Sequence, residues 1–460
     1  MKNFKNKKIY GWSRSDFSSC FYIQTSDIGK ISDIFDFAKN DNKKVSFRSG
    51  GRSYGDNTLN KENIVINYKS EKNIFSFDEN KGEIVVSGSC TIKNLLNYTI
   101  PRGWMLHVSP ASQYISIAGA VSNNVHGKNC VSKGYFGDYV DSFEIITPKK
   151  GIIKCTEKEN SELFFSTISG LGAFGLIIKA TLRLRKIKTI LVDTQTQFVK
   201  NIDDAMYKTT QLIKNHEYNI GSLNFSRYNN KILSGNIYSS NFSEKINISN
   251  FNGNASFLIY FVNFLLLINN LPLCDKVIEF LLSKMTSGKK VDKKIVQNYY
   301  QMNFLGDKFL PLYNYFFRNG FIEYQVIFDK NDYLKAINEI EYLLQANNYS
   351  SYMSSFKAYK ASNSKYLFGL EKNGFCITLD IPFEKGKKFQ YFVRKLNEIT
   401  IKYNGQVYLG KTPCINNEEF KTMYKNYPEF KKLKIYYDPN FLLVSEMTNR
   451  LFSDFYNHKC

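Results

Sequence analysis

The string GLGAFG at Gly170–Gly175 has the spacing Gly-x-Gly-x-x-Gly, but its surroundings are the reverse of those that make this spacing a dinucleotide site. A Rossmann fingerprint follows a strand and opens a helix. Here a helix-like stretch, SELFFSTIS, comes first, and a strand-like stretch, LIIKATLRLR, follows. A doubly wound nicotinamide-binding domain is therefore disfavoured. The glycines still permit the backbone to approach something flat or phosphorylated.

Other chemistries lose their usual signatures too. The chain has no Walker-type GxxxxGK[ST], no HExxH and no GxSxG elbow, which argues against phosphoryl transfer, zinc proteolysis and serine hydrolysis. Eight cysteines are scattered without CxxC pairs, and only four histidines are present. No structural metal site is expected, and the cysteines read as reduced thiols of a cytoplasmic protein. The net charge of +21 is compatible with a nucleic acid, an anionic lipid surface or an anionic substrate, although the abundance of Lys, Asn and Ile also fits AT-rich coding. No RNP string or basic helix supports nucleic-acid binding. The N-terminal MKNFKNKKIYGWSRSD is basic without an apolar core, so it does not read as a signal peptide. The most apolar run, 257–273, is broken by Asn263, Asn269 and Asn270. It is shorter than the ~20 residues that span a bilayer. It reads as a buried or lid helix, or as an interfacial segment touching lipid.

The 460 residues allow two or three packed domains. Residues 10–190 read as mixed α/β. Ser26 is placed to cap a helix with Ile28, Ile31, Ile34, Phe35 and Ala38 on one face. Strands are expected at KVSF, NIVINY and GEIVVSG, a helix from Thr91, and a hairpin turning near Pro148–Gly151. Residues 191–404 end in the order strand, helix, strand, strand, helix, which favours an antiparallel sheet covered by helices. Within them, 240–300 is the least regular part and fits a flexible or membrane-facing segment. Residues 405–460 return to short motifs, VYLGK and YYDPNF.

Four strings stand out as places for chemistry. FRSGGRSYGDN, directly after a predicted strand, exposes successive amides at Gly50 and Gly51 and suits a diphosphate. The second is GLGAFG. The third is PASQYISIAGAVSNNVHGKN, where small residues precede an imidazole and a cation, His126 and Lys128. The fourth is YLGK, ending in Lys411.

Taken together these strings resemble the FAD-linked oxidases of the vanillyl-alcohol oxidase type, which carry a PCMH-type FAD-binding domain. HGKN, GRSYGDN, FGDYV and ELFFSTISGLGAFGLI resemble the decaprenylphosphoryl-ribose oxidase branch, as do GFIEYQ, SFKAY, LDIP, VYLGK and DP in the same order. The resemblance runs from about Gly11 to Leu451. It implies an α+β chain: a two-subdomain FAD-binding domain over 10–190, a substrate domain with a helix-covered antiparallel sheet over 191–404, and a C-terminal segment, 405–460, packing back on the FAD domain.

The resemblance further implies FAD held by Phe47, Arg48, Ser49, Gly50, Gly51, Arg52, Ser53, Tyr54, Gly55, Asp56 and Asn57 around the diphosphate. Ala111, Ser116, Ile117, Ala118, Gly119, His126, Gly127, Lys128, Asn129, Ile177 and Tyr408 would line the rest of the cofactor. Arg52 stands where many relatives attach flavin covalently through His, so the FAD is expected to be non-covalent. Substrate contacts fall to Lys128, Glu323, Gln325, Lys357, Tyr359, Thr378 and Lys411, and the catalytic candidates are Lys411, His126 and Tyr54. Glu323 departs from the Gln of the mycobacterial-type enzymes, Thr378 from their Cys and Cys376 from their Asn.

The implied reaction is oxidation of the 2-hydroxyl of a polyprenyl-phosphoryl pentose to a keto sugar, with hydride passing to flavin N5. This is the first half of an epimerisation in arabinose and cell-wall polysaccharide synthesis. A short-chain reductase partner would complete it. The expected location is the cytoplasm, with peripheral contact on the inner face of the plasma membrane. The alternative is an FAD-dependent oxidase of a soluble sugar, alditol or aldonolactone; a basic nucleic-acid-binding protein is the third reading and a flavin-binding scaffold without catalysis the fourth.

Overall fold

The computed structural model describes residues 4–225, 233–245, 292–307, 317, 319–351, 354–411 and 414–456. The apolar run 257–273 and most of 240–300 lie outside these described residues.

Three sheets order the described residues. The first joins β1 (Lys5–Tyr10), β2 (Phe17–Thr25), β3 (Val45–Phe47) and β4 (Ile64–Tyr68) in the order β1-β2-β4-β3, with β4 parallel to both neighbours. Parallel pairing needs a crossover, and the helix Ile28–Asn40 supplies it, burying Ile31, Ile34, Phe35 and Ala38. Its cap is Asp27 rather than Ser26. The Asp27 carboxylate accepts from Gly29 N at 2.8 Å and Lys30 N at 3.3 Å, while the Ser26 hydroxyl turns to Glu71. An Asp at the position next to the first helical residue reaches those amides where a Ser one residue earlier does not.

The second sheet contains β5 (Ile74–Asp78), β6 (Glu83–Ser87), β7 (Trp104–Leu106), β8 (Val140–Thr147), β9 (Gly151–Thr156) and β10 (Leu176–Lys186), all antiparallel. β8 and β9 form the expected hairpin. The string GLGAFG links the helix Ser161–Thr167 to β10, so its glycines sit before a strand.

The third sheet holds β11 (Leu191–Val199), β12 (Tyr218–Leu223), β13 (Gly235–Phe242), β14 (Lys293–Asn298), β15 (Phe321–Asp329), β16 (Ser354–Tyr359), β17 (Gly374–Pro382) and β18 (Gln406–Val407). Their order is β14-β11-β13-β12-β16-β17-β15-β18, and every pairing is antiparallel. The fold is therefore α+β, as the order of elements predicts.

The period-two alternation of strands explains what this third sheet does. On one face Tyr324, Val326, Phe328, Phe356, Phe375, Ile377 and Leu379 are fully buried against helices Lys330–Ala346 and Lys387–Lys402. Tyr333 of the first helix packs on Phe356 and Phe375, and the Tyr324 hydroxyl bonds Asn397 and Thr400 of the second. The opposite face carries Glu323, Gln325, Ser355, Lys357, Tyr359, Cys376 and Thr378, as the registers Gln325↔Thr378, Ser355↔Thr378 and Lys357↔Cys376 require. Burying so many polar groups is costly unless they serve a site.

The last segment contains four short helices, Asn417–Met423, Tyr427–Tyr437, Glu446–Leu451 and Ser453–Tyr456. None repeats an apolar pattern long enough to be read from sequence. Leu442 and Leu443 join the core of the first sheet, and Val45 pairs with Leu443. Arg450 grips the Asp56 carboxylate through Nε at 3.0 Å and Nη2 at 2.9 Å. No helix among the described residues is long and apolar enough to cross a membrane.

Candidate active site

A cleft open to solvent runs between the first two sheets and the polar face of the third. One wall is the loop that leaves β3. Phe47, Arg48, Ser49, Gly50, Gly51, Arg52, Ser53, Tyr54 and Asn57 line it. The amides of Ser49, Gly50, Gly51, Arg52 and Ser53 donate no hydrogen bond among the described residues. Successive free amides in a turn form a concavity for an anion, and a diphosphate answers their need for acceptors. Gly50 is required by space: a Cβ there would lie 2.6 Å from Tyr114 O. Gly51 is required by its φ of +62°.

The Arg52 Nε and Asn123 Oδ1 atoms, both on cleft residues, are buried with no partner. Native buried polar groups are nearly always satisfied, so these two fit a polar ligand held in the cleft. Replacing Gly50 by Ala should displace the loop and weaken cofactor retention by about tenfold, matching the ~1.4 kcal/mol of one lost charge-assisted hydrogen bond. Fluorescence of flavin released on gel filtration measures this, and full retention would show that the loop does not hold the diphosphate.

Further along, Ala111, Ser116, Ala118, Gly119, His126, Gly127, Lys128, Ile177 and Tyr408 line the cleft. Gly55, Asp56, Ile117 and Asn129 do not. Gly55 abuts Gly11, and Asp56 holds Arg450. Ile117 is fully buried in the core, and the Asn129 amide donates to His107 O and Glu217. These four support the wall from behind. The cleft is also lined by Trp12, Ser122, Asn123, Ile220 and Ser355, which the sequence does not single out. Ser355 carried a signal, because it alternates with Lys357 and Tyr359 along one strand face. Trp12 and Asn123 are brought in by loops, which have no period to read, while Ser122 ends the helix Ile117–Ser122 and Ile220 lies on β12.

The end of the cleft beneath the third sheet gathers most of the expected side chains. Gln325, Lys357, Thr378 and Lys411 face the cleft. Glu323, 4% exposed, forms an ion pair with Lys411. The Lys411 ammonium also lies 4.9 Å from the centre of the Tyr54 ring, which packs on Trp12 and Phe321. His126 is buried, with Gln325 Nε2 at 3.0 Å and the Tyr359 hydroxyl at 2.8 Å from its Nε2. Lys357 Nζ lies 3.3 Å from its Nδ1. Lys357 Nζ and Gln325 Nε2 can only donate, so a donor approaches each ring nitrogen, and the Tyr359 hydroxyl is the neighbour able to accept from the ring. Burial, with Lys357 and Lys411 nearby, holds the imidazole's pKa well below its usual range, so His126 is neutral.

Lys128 donates to Met302 O. Burial first, and then Lys357, depress its pKa to about 7, and burial lowers that of Lys357 as well. Neither lysine has an ion-pair partner among the described residues. Cys130 and Cys376 sit behind this group, their thiols pushed up to about 11 by burial. They are therefore protonated and unreactive. No cluster of metal-ligating side chains occurs among the described residues.

This combination defines a class. The chain is an FAD-dependent oxidoreductase with a PCMH-type FAD-binding domain, and residues 21–156 match the FAD binding domain family. Along nearly its whole length it is similar to the decaprenylphosphoryl-beta-D-ribose oxidase of Mycolicibacterium smegmatis, 23% identical over 454 residues and 97% of each chain. Shorter similarities reach L-gulonolactone oxidase of Bos taurus, 21% identical over 45% of this chain and 48% of the relative. Cytokinin dehydrogenase 1 of Arabidopsis thaliana is 30% identical over 31% of this chain and 25% of the relative.

Proposed function

We propose that the protein oxidises the 2-hydroxyl of a polyprenyl-phosphoryl pentose to a keto sugar, as the first half of an epimerisation. One observation carries this reading most directly. Lys128 and Lys357 are buried cations without counter-ions, close to the neutral His126 and the Lys411–Glu323 pair. An uncompensated buried ammonium favours an incoming anion, and a sugar phosphate brings one.

Bound FAD supplies the acceptor for the two electrons and the hydrogen removed from the alcohol carbon. The protein's own groups do the rest. Lys128 and Lys357 anchor the phosphate, which fixes the pentose against the cleft wall. The Glu323 carboxylate holds Lys411 in place through their ion pair. Lys411 holds positive charge beside the reacting hydroxyl, where negative charge develops. Neutral His126, fixed by Gln325, Tyr359 and Lys357, presents an uncharged hydrogen-bonding edge. Tyr54, His126 and Lys411 remain the candidates for the proton.

FAD is held without a covalent bond. His126 is the only histidine among the described lining residues, its ring nitrogens are both engaged, and no cysteine is among those described lining residues. We expect a peripheral contact with an anionic lipid surface and a short-chain reductase as partner. The surplus of positive charge supports the first, and the unfinished chemistry of a keto sugar supports the second.

The test is an absorption spectrum before and after acid precipitation, followed by anaerobic addition of a polyprenyl-phosphoryl pentose. Yellow colour released to the supernatant, with bleaching on addition, is the expected result. Bleaching by a free aldonolactone but not by the lipid-linked sugar would replace this reading with that of a soluble-sugar oxidase.

A further inference from the structure

Far from the reacting end, one buried charge pair ties the C-terminal segment to both glycine-rich walls of the cofactor cleft. The side chains of Lys434 and Asp438, one turn apart, are 0% exposed and 2.7 Å apart. Lys434 Nζ also donates to Ala173 O at 2.6 Å and Leu443 O at 2.9 Å. Asp438 in turn accepts from the amides of Leu442 and Leu443, both at 2.8 Å.

Two consequences follow from where these partners lie. Ala173 belongs to the loop whose Leu171, Gly172 and Gly175 line the cleft. That loop is backbone-strained: Ser169 and Leu171 hold φ of +65° and +58° without being glycine. Left-handed non-glycine residues cost about 1–3 kcal/mol each and persist only where their surroundings fix them. The second consequence concerns the other wall. Leu442 O accepts from Val45 N at 2.8 Å, and Val45 O accepts from Val444 N at 2.9 Å. Val45 begins β3, whose exit is the amide-rich loop from Phe47 onward. One ammonium thus registers the second glycine loop against a segment that is itself laced to the strand feeding the first.

We infer that Lys434 is a positioning residue for the cofactor: through Ala173 and the 442–444 backbone it holds the two glycine loops at the spacing that binds FAD. An apolar side chain would fill the same space with less desolvation cost, yet it would leave Ala173 O without a donor. Burial pulls the lysine's pKa down and Asp438 opposes that pull, which keeps the ammonium available.

The experiment uses the holoenzyme. Lys434→Met combined with Asp438→Asn removes both charges while preserving volume. FAD release is followed by fluorescence after dilution, and unfolding of the apoprotein is followed by circular dichroism. Release at least tenfold faster, with apoprotein stability near that of the parent, is expected. Unchanged release with a less stable apoprotein would reduce the pair to a general structural tie and overturn the inference.

Should the variant not fold, amide exchange in the parent protein decides. FAD binding is expected to slow exchange at Leu171, Leu442, Leu443 and Val444 together. Protection confined to the glycine loop would also overturn it.

Discussion

Lys411→Met should leave the protein yellow and lower kcat by about two to three orders of magnitude, the range found when one preorganised charge or donor is removed from a developing negative charge. Two effects are superimposed in this variant and can be separated. The substitution also takes from Glu323, a nearly buried carboxylate, its ion pair with Lys411. Breaking a buried pair from one side costs about 3–5 kcal/mol, and Lys411 is 26% exposed, so the cost should fall at or below the lower figure. Adding Glu323→Gln replaces the buried carboxylate by a neutral amide that can still donate and accept. The double variant should therefore regain most of the thermal stability and almost none of the turnover. Melting temperature and anaerobic flavin reduction, measured on the same samples, provide the check. If the double variant recovers both, Lys411 serves only to neutralise Glu323, and its place in the chemistry is lost.

This pair also shows what sequence could and could not convey. Glu323 and Gln325 interrupt an otherwise apolar strand, FIEYQVIF, and period two places them on one face. Lys357 and Tyr359 do the same in β16. Polar residues at alternate positions of central strands are expensive, so a face built from them was legible as a site. The identity of each partner was not. Glu323 and Lys411 are 88 residues apart, and nothing local indicates that they meet. The same holds for Asp56 with Arg450, 394 residues apart.

The fold was legible where patterns were long. The strand–helix–strand–strand–helix order between Phe321 and Lys402 follows directly from alternation and helical period. Legibility failed where elements are short and set by tertiary contact. The four C-terminal helices have between four and eleven residues and owe their ends to caps such as Asn416 and Ser445. The strand β18 has two residues and exists only because β15 offers an edge to it. The latch at Lys434 illustrates the same limit. A lysine in YPEFKKLKIYY reads as a solvated face, and only the packed structure turns that one inward.

The largest pH effect should come from Lys128, and it should run in opposite directions for binding and for stability. Burial and the neighbouring Lys357 lower its pKa from 10.5 to about 7 in the empty cleft. Near pH 6 the ammonium is present and an anionic substrate gains a charge-assisted hydrogen bond. As pH rises through about 7 the free protein loses that proton, and a phosphate must then pull it back. A phosphodiester keeps its single charge throughout, so the substrate contributes no titration of its own. The apparent KM should rise by roughly tenfold per pH unit above this point until other groups intervene.

Stability should move the other way. Between about pH 7 and 10.5 the unfolded lysine holds a proton that the folded one does not. The unfolded state then binds more protons, and stability increases with pH. Lys128→Met removes both trends at once. Its KM for the phosphorylated sugar should be high at pH 6 and nearly flat upward, while its melting temperature exceeds that of the parent at pH 6 and the gap narrows toward pH 10. Parallel KM profiles for parent and variant would mean that another cation, with Lys357 the first to examine, reads the phosphate. Because Lys357 is itself buried against His126, its replacement by Met should weaken substrate binding and also free the His126 Nδ1 position, raising the imidazole's pKa. A new acidic limb in the pH–rate profile of that variant would distinguish it from the loss of Lys128.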